Sequence, residues 1–234
     1  MSIMKLGRRV QHDPASWNFQ TPHRKIIAKK NTIWANAAPI LDQGNLGSCV
    51  GNSAAEWLNC GVAIKNRRTG HLAGRTRPTA YLNETDALNI YSRATTLDEW
   101  VDEQYPPTDS GTSGLGAAKA LQFYGFIDAY QHAFTFESFL ATLQAQPVMI
   151  GVNWYDSFME TGRDGHIRLA SRDTDPVGGH EVLVRGVDYT HERIQCRNHW
   201  TKKWGRNGEF YISFDLAEKL LKEDGDVLAP VVML

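Results

Sequence analysis

From residue 48 to about residue 65 the apolar side chains Val50, Ala54, Trp57, Leu58 and Val62 recur at three- and four-residue steps. That period predicts a helix buried along one face, with Cys49 in its first turn. Further helices are predicted near 84–93, 115–124 and 136–144, the last opening after Thr135 as N-cap. After Pro147 the pattern shortens to apolar runs at 148–154, 181–187, 193–196 and 209–213, separated by Gly, Asp and Asn clusters, which predict strands. Helices followed by strands, without alternation, define an α+β chain. We expect a basic N-terminal arm at 1–34, a mainly helical subdomain at 35–135 and a mainly β subdomain at 136–234.

At 234 residues, with 42% hydrophobic and 22% charged side chains, the composition is that of a globular protein able to bury a core without a disulfide or metal staple. The formal net charge of -1 argues against a nucleic-acid binder. Its distribution is uneven, however. Within residues 1–30, Lys5, Arg8, Arg9, Arg24, Lys25, Lys29 and Lys30 oppose only Asp13, so the arm carries +6 and the remainder -7. No secretory signal and no apolar run of membrane-spanning length are visible, so no membrane partner is expected. Three scattered cysteines, Cys49, Cys60 and Cys196, favour a reducing, cytoplasmic compartment.

The polar, glycine-rich stretch Asp42 to Ser48 delivers Cys49 from a loop into a helix N-terminus, where a thiolate is stabilised. A nucleophile needs a base. Of the eight histidines, only His180 follows a Gly-Gly pair and enters a predicted strand. Gln43-Gly-Asn-Leu-Gly-Ser-Cys49 resembles the Gln-Gly-x-Cys-Gly-Ser-Cys of papain-like cysteine peptidases, and in particular of their compact bacterial and bacteriophage-type members. Gly178-Gly-His180-Glu-Val182 through Gly186 resembles that family's Gly-Gly-His-Ala-Val…Gly. Asn198-His-Trp200…Trp204-Gly-Arg-Asn-Gly208 resembles its Asn-Ser-Trp-Gly-x-x-Trp-Gly-x-Asn-Gly. Cys49 lies 131 residues before His180 and 149 before Asn198, in keeping with the family's spacing of about 130–150.

The resemblance implies a papain-like fold, in which a helical subdomain packs against an antiparallel β-barrel-like subdomain with the active site between them. It implies a cysteine endopeptidase acting on polypeptides through an acyl-enzyme, with no cofactor and no metal. Cys49 would be the nucleophile, His180 the general base and then acid, Asn198 the group orienting the imidazole, and Gln43 the oxyanion donor. Trp200 would cover the Asn198–His180 hydrogen bond. Two other readings stay open: a phage virion or assembly protein that keeps the fold with little turnover and docks viral structural proteins, and an isopeptide or cell-wall peptide hydrolase or acyl transferase using the same residues. The departures are Leu46 in place of a disulfide-forming Cys, Val50 in place of an aromatic, and His199 in place of Ser. The Cys196-x-x-His199 pair has metal-like spacing but no second pair to complete a site.

For substrate, Gly111 and Thr112 match the family's glycine-rich wall that binds an extended peptide. Glu181 falls where a small residue usually lines the pocket for the second side chain upstream of the cut. A buried carboxylate there needs a cation; the alternatives are pairing with Arg185 or exposure to solvent. Residues 1–24, with Trp17 and Phe19 between Pro14 and Pro22, are too short to fold alone. We expect them to pack back on the acidic body as a clasp across the subdomains, not as a plug in the cleft, the other outcome being a disordered tail.

Overall fold

In a computed structural model of the chain, residues 5–22, 26, 28–60, 81–100 and 103–232 are described. Helix α1 (Cys49–Asn59) is buried at every residue. The stretch expected to continue it, 61–65, lies outside the described residues. Helix α2 (Glu84–Leu97) is started by a reciprocal capping box between Asn83 and Asp86, α3 (Gly114–Phe123) by Ser113, and α4 (Phe136–Ala145) by Thr135. Each cap oxygen accepts from a backbone N–H that the first helical turn leaves unpaired, which is why these helices begin where they do. A last helix, α5 (Phe214–Lys222), is capped by Ser213.

The strands are β1 (Thr32–Ile33), β2 (Ala129–Ala133), β3 (Val148–Trp154), β4 (Gly178–Asp188), β5 (Arg193–Arg197), β6 (Glu209–Ser213) and β7 (Asp226–Val231). They form one antiparallel sheet in the order β2-β7-β3-β4-β5-β6, with β1 added on β4. The fold is α+β, as the change of period at Pro147 predicts. Strand β2 comes from the stretch before residue 136 and pairs with β7, so the sheet also draws on that earlier segment.

Alternation along the two central strands divides the core. Val148, Ile150, Val152 and Trp154 of β3, with Val182 and Val184 of β4, join a cluster with α4 and α5. Met149 and Leu183 join the other cluster with α1, α2 and α3. A central sheet with apolar side chains on both faces is thus clad on both sides. Cys60 and Cys196 are fully buried, one in each cluster, as core residues.

Candidate active site

The N-terminus of α1 meets the start of β4, and the loop after β5 closes over both. His180 Nε2 lies 2.9 Å from Asn198 Oδ1, which also accepts from the His199 backbone N–H at 2.9 Å. The imidazole is clamped between Trp200, stacked at 4.6 Å, and the edge of Trp154 at 4.6 Å. With one ring nitrogen committed to Asn198, Nδ1 has no hydrogen-bond partner among the described residues. The Glu181 backbone N–H, directly after His180, reaches the Cys49 thiol. The residue after His180 thus brings its amide to the thiol, while Asn198 and the two tryptophans fix the imidazole.

Gln43 is held from three directions. Its N–H donates to the His199 carbonyl, its side-chain oxygen accepts from Trp200 Nε1 at 3.0 Å, and its Nε2 donates to the Leu46 carbonyl at 2.7 Å. Trp200 thus both covers the imidazole and orients the Gln43 amide. His199 is committed through Nε2, which lies 2.9 Å from the Glu181 carbonyl and 3.3 Å from Ser53 Oγ, tying β4 to α1. Gly111 and Thr112 form a wall braced from behind. The Gly111 N–H donates to Tyr91 Oη, and Thr112 Oγ1 donates to Asp98.

The cleft is occupied by the chain's own arm. Gln43 Nε2 donates to the Lys5 carbonyl at 2.9 Å, the Thr112 N–H to the Gly7 carbonyl at 2.9 Å, and the Arg8 N–H to the Gly179 carbonyl at 3.1 Å. Lys5 also reaches Asp109, which in turn accepts from the Gly47 N–H. The Gly7 N–H points at the thiol. Residues 5–8 therefore run from Gln43 across Cys49 to the pocket side, bonded to both walls. The expected packing of the arm on the body is seen further along, where Trp17 stacks on Phe134 at 3.9 Å and Phe19 packs on Tyr130, both on or next to β2 and not on two subdomains. Across residues 5–8 the expected clasp is corrected to a plug. The physical reasons are Gly7, whose missing Cβ lets the backbone touch Gly47, and Arg8, whose charge the cleft demands.

That demand comes from Glu181. It is 1% exposed, and it pairs neither with Arg185, which is bound to Glu209 at 2.8 and 3.0 Å, nor with solvent. Its cation is Arg8, with Nε 3.7 Å from the carboxylate. Arg8 Nη2 donates to Asp226 Oδ1 at 2.8 Å, and Asp226 Oδ2 lies 2.9 Å from His132 Nδ1. Removing one partner from such a buried set costs about 3–5 kcal/mol. Asp226, Asp98 and His132 are not legible in the sequence. Nothing local marks them, because their roles come from strands and loops distant in the chain.

Occlusion sets the protonation. Burial pushes the Cys49 thiol up to about 12, outweighing the pull of the Glu181 and Gly7 N–H groups and of Arg8. Burial also holds the His180 imidazole well below its ordinary value, helped by neighbouring His199. Both shifts favour the neutral thiol and imidazole in the arm-filled cleft, against the thiolate expected from the helix N-terminus. Among the described residues no group of three or more His, Cys, Asp or Glu side chains is placed to hold a metal ion, and no helix is long and apolar enough to cross a membrane.

A thiol in the first turn of a helix that meets the strand carrying a buried imidazole, between helices and sheet, is the arrangement of a papain-like architecture. The comparisons agree with this class. The structure superposes on xylellain, a cysteine protease from Xylella fastidiosa, with a TM-score of 0.71 at 16% identity, covering 99% of this chain and 100% of that one. It also superposes on the digestive procathepsin L2 proteinase of Tenebrio molitor larval midgut, with a TM-score of 0.62 at 14% identity, covering 97% and 78%. In sequence it is 24% identical over 226 residues to an uncharacterized peptidase C1-like protein of Acanthamoeba polyphaga mimivirus, covering 79% of this chain and 67% of that relative. No protein-family model matches. The fold is papain-like, and the resemblance read from the three motifs is borne out.

Proposed function

We propose that the chain is a cysteine endopeptidase that hydrolyses peptide bonds of polypeptides through a thiolate and an acyl-enzyme. The observation that carries this reading is the His180 imidazole, anchored to Asn198 through one nitrogen and left unpartnered at the other, on the residue just before the amide that reaches the Cys49 thiol. Cys49 transfers its proton to His180 Nδ1, and the resulting thiolate attacks the substrate carbonyl carbon. Gln43 Nε2 stabilises the oxyanion as it forms, a contribution on the order of 3 kcal/mol for one donor. The imidazolium then protonates the departing amine. Water attacks the thioester with His180 as base, releasing the acid product and the thiol.

This cycle requires the arm to leave. With Gly7 in place the sulfur faces an N–H instead of an electrophilic carbon, and the Gly7 carbonyl is turned to Thr112. A groove of about 590 Å³ beside Trp200, lined by Asp42, Thr161 and Trp204 among others, leads away from Gln43 and would receive the leaving side of a polypeptide. The fully buried thiol also gives one argument for the assembly-protein reading, in which viral partners dock on a chain with little turnover. Incubating the full chain with a denatured protein substrate, with and without Cys49→Ala, separates the two. Cleavage that depends on Cys49 supports the peptidase, and no cleavage after the arm is displaced by mutation supports docking.

A further inference from the structure

The register of the sheet places Gly151 of β3 opposite Glu181 of β4 on one side and opposite Asp226 of β7 on the other. Two carboxylates thus flank a glycine in one row across three adjacent strands. A Cβ at Gly151 would lie 2.1 Å from Arg8 Nε and 2.5 Å from Glu181 Oε2, so this row is open only because residue 151 has no side chain. Into the opening comes one flat cation. Its Nη2 donates to Asp226 Oδ1 at 2.8 Å and to the Asp224 carbonyl at 2.9 Å, while its Nε lies 3.7 Å from Glu181. Asp224 holds φ at 64°, in the left-handed region that a non-glycine residue rarely adopts. Its carbonyl is nonetheless the one aimed at the guanidinium.

We propose that this cavity is a guanidinium-specific subsite, filled by Arg8 in the closed form and by an arginine side chain of the polypeptide substrate once the arm has left; the substrate half rests on the peptidase reading. Arg8 enters from a backbone bonded to both cleft walls, next to the residue that covers the thiol, so a peptide lying in the same groove presents a side chain to the same opening. Even with the arm in place, neither oxygen of the Glu181 carboxyl, 1% exposed, has a hydrogen-bond partner among the described residues, so the nearby Arg8 charge is what offsets it. Apart from Arg8, the side chain bonded to the Asp226 carboxylate among the described residues is His132. Both carboxyls then require a ligand with charge and donors. A planar fork can serve acceptors on two sides at once, whereas an ammonium is a single strongly hydrated point. A neutral side chain would leave both acids unpaired.

Full-length Arg8→Ala is titrated with Nα-acetyl-arginine amide and with its neutral isostere Nα-acetyl-citrulline amide, reading the melting temperature and the alkylation rate of Cys49. The arginine compound should raise the melting temperature and slow alkylation saturably, the citrulline compound should do neither, and the wild-type chain should respond to neither because Arg8 holds the site. Equal responses to the two compounds overturn the subsite. If Arg8→Ala does not fold, Arg8→Lys, which keeps a charge and lacks the fork, is titrated in the same way. The same substitution, combined with Gly7→Ala so that the backbone at residue 7 no longer fits over the thiol, is then given fluorogenic peptides that differ only in arginine, citrulline or leucine at single positions before the cleaved bond. We expect kcat/KM to favour arginine over citrulline by on the order of 100-fold at one position, and Asp226→Asn to erase the preference. Cleavage without preference overturns the substrate assignment and leaves the peptidase standing. Binding of the arginine compound with no peptide cleaved supports the subsite and overturns the peptidase reading.

Discussion

Gly7 lies so close to Gly47 that a Cβ on residue 7 would sit 1.8 Å from the Gly47 carbonyl oxygen. The arm can therefore cross the thiol only as bare backbone. Gly7→Ala should expel residues 5–8 from the cleft and raise the alkylation rate of Cys49 by at least about tenfold at neutral pH, because rehydration removes the largest cause of its raised pKa. In the wild-type chain, with the thiol pushed up to about 12, alkylation should climb with pH throughout the alkaline range. In Gly7→Ala it should level off at lower pH. Mass spectrometry of the Cys49 peptide after timed labelling reads both; identical profiles would dissociate the arm from the protonation of the thiol.

Within the Gly7→Ala background, Cys49→Ala should abolish peptide hydrolysis, while Gln43→Ala and Asn198→Ala should each lower it about 10- to 1000-fold with the fold intact. The nucleophile is required and the helpers assist. Initial rates on a fluorogenic peptide, with circular dichroism as the control for folding, test the assignment. Unchanged rates in both helper variants would remove those two residues from it.

Glu56 is fully buried on α1 with Arg197 Nε 3.3 Å away, and burial raises its carboxyl from an ordinary 4.5 to about 7. The folded state therefore holds a proton that the unfolded chain releases. Its contribution to stability is complete below about pH 4.5 and is lost as pH rises through 7. Glu56→Gln keeps an oxygen to accept from the Leu41 N–H and Arg197 and does not ionise. The fall in melting temperature between about pH 5 and pH 8 should be smaller in the variant than in the wild type. Parallel curves would show that Glu56 does not titrate in this range.

Trp17 is half exposed and stacks on Phe134 with centroids 3.9 Å apart and planes 16° apart. Trp17→Ala should cost about 1 kcal/mol, or about 2–4 °C in melting temperature for a chain of this size. Its effect on Cys49 alkylation should be smaller than that of Gly7→Ala, because residues 5–8 keep their own bonds to Gln43, Thr112 and Gly179. Calorimetry and the labelling assay together test this ranking.

Helices α1 to α4 and the central strands are legible along the chain because their causes are short-range: apolar spacing, cap residues such as Asn83 and Thr135, and turn residues between strands. Strand β1 has two residues and β2, Ala-Tyr-Gln-His-Ala, lacks an apolar run, so neither announces itself, and they exist through pairing with β4 and β7. Gln43, Cys49, His180 and Asn198 are legible for a different reason. Each sits in a local motif whose glycines and aromatics shape its own surroundings. The need of Glu181 for a cation is legible too, since burying a carboxylate is costly wherever it occurs.

Which cation answers that need is a matter of tertiary structure alone. Arg8, Glu181 and Asp226 are brought to one point by the pairing of β3 with both β4 and β7, and register between strands distant in sequence leaves no mark on any short window. The state of Cys49 belongs to the same class. A helix N-terminus favours a thiolate by a local dipole, but desolvation depends on every atom that closes over the sulfur, including the arm at Gly7. The sequence by itself therefore determined the elements, the motif residues and the class of chemistry they can perform. The tertiary structure decided that the arm fills the cleft, that burial works against the thiolate, and that an arginine is the cation set against Glu181 and Asp226.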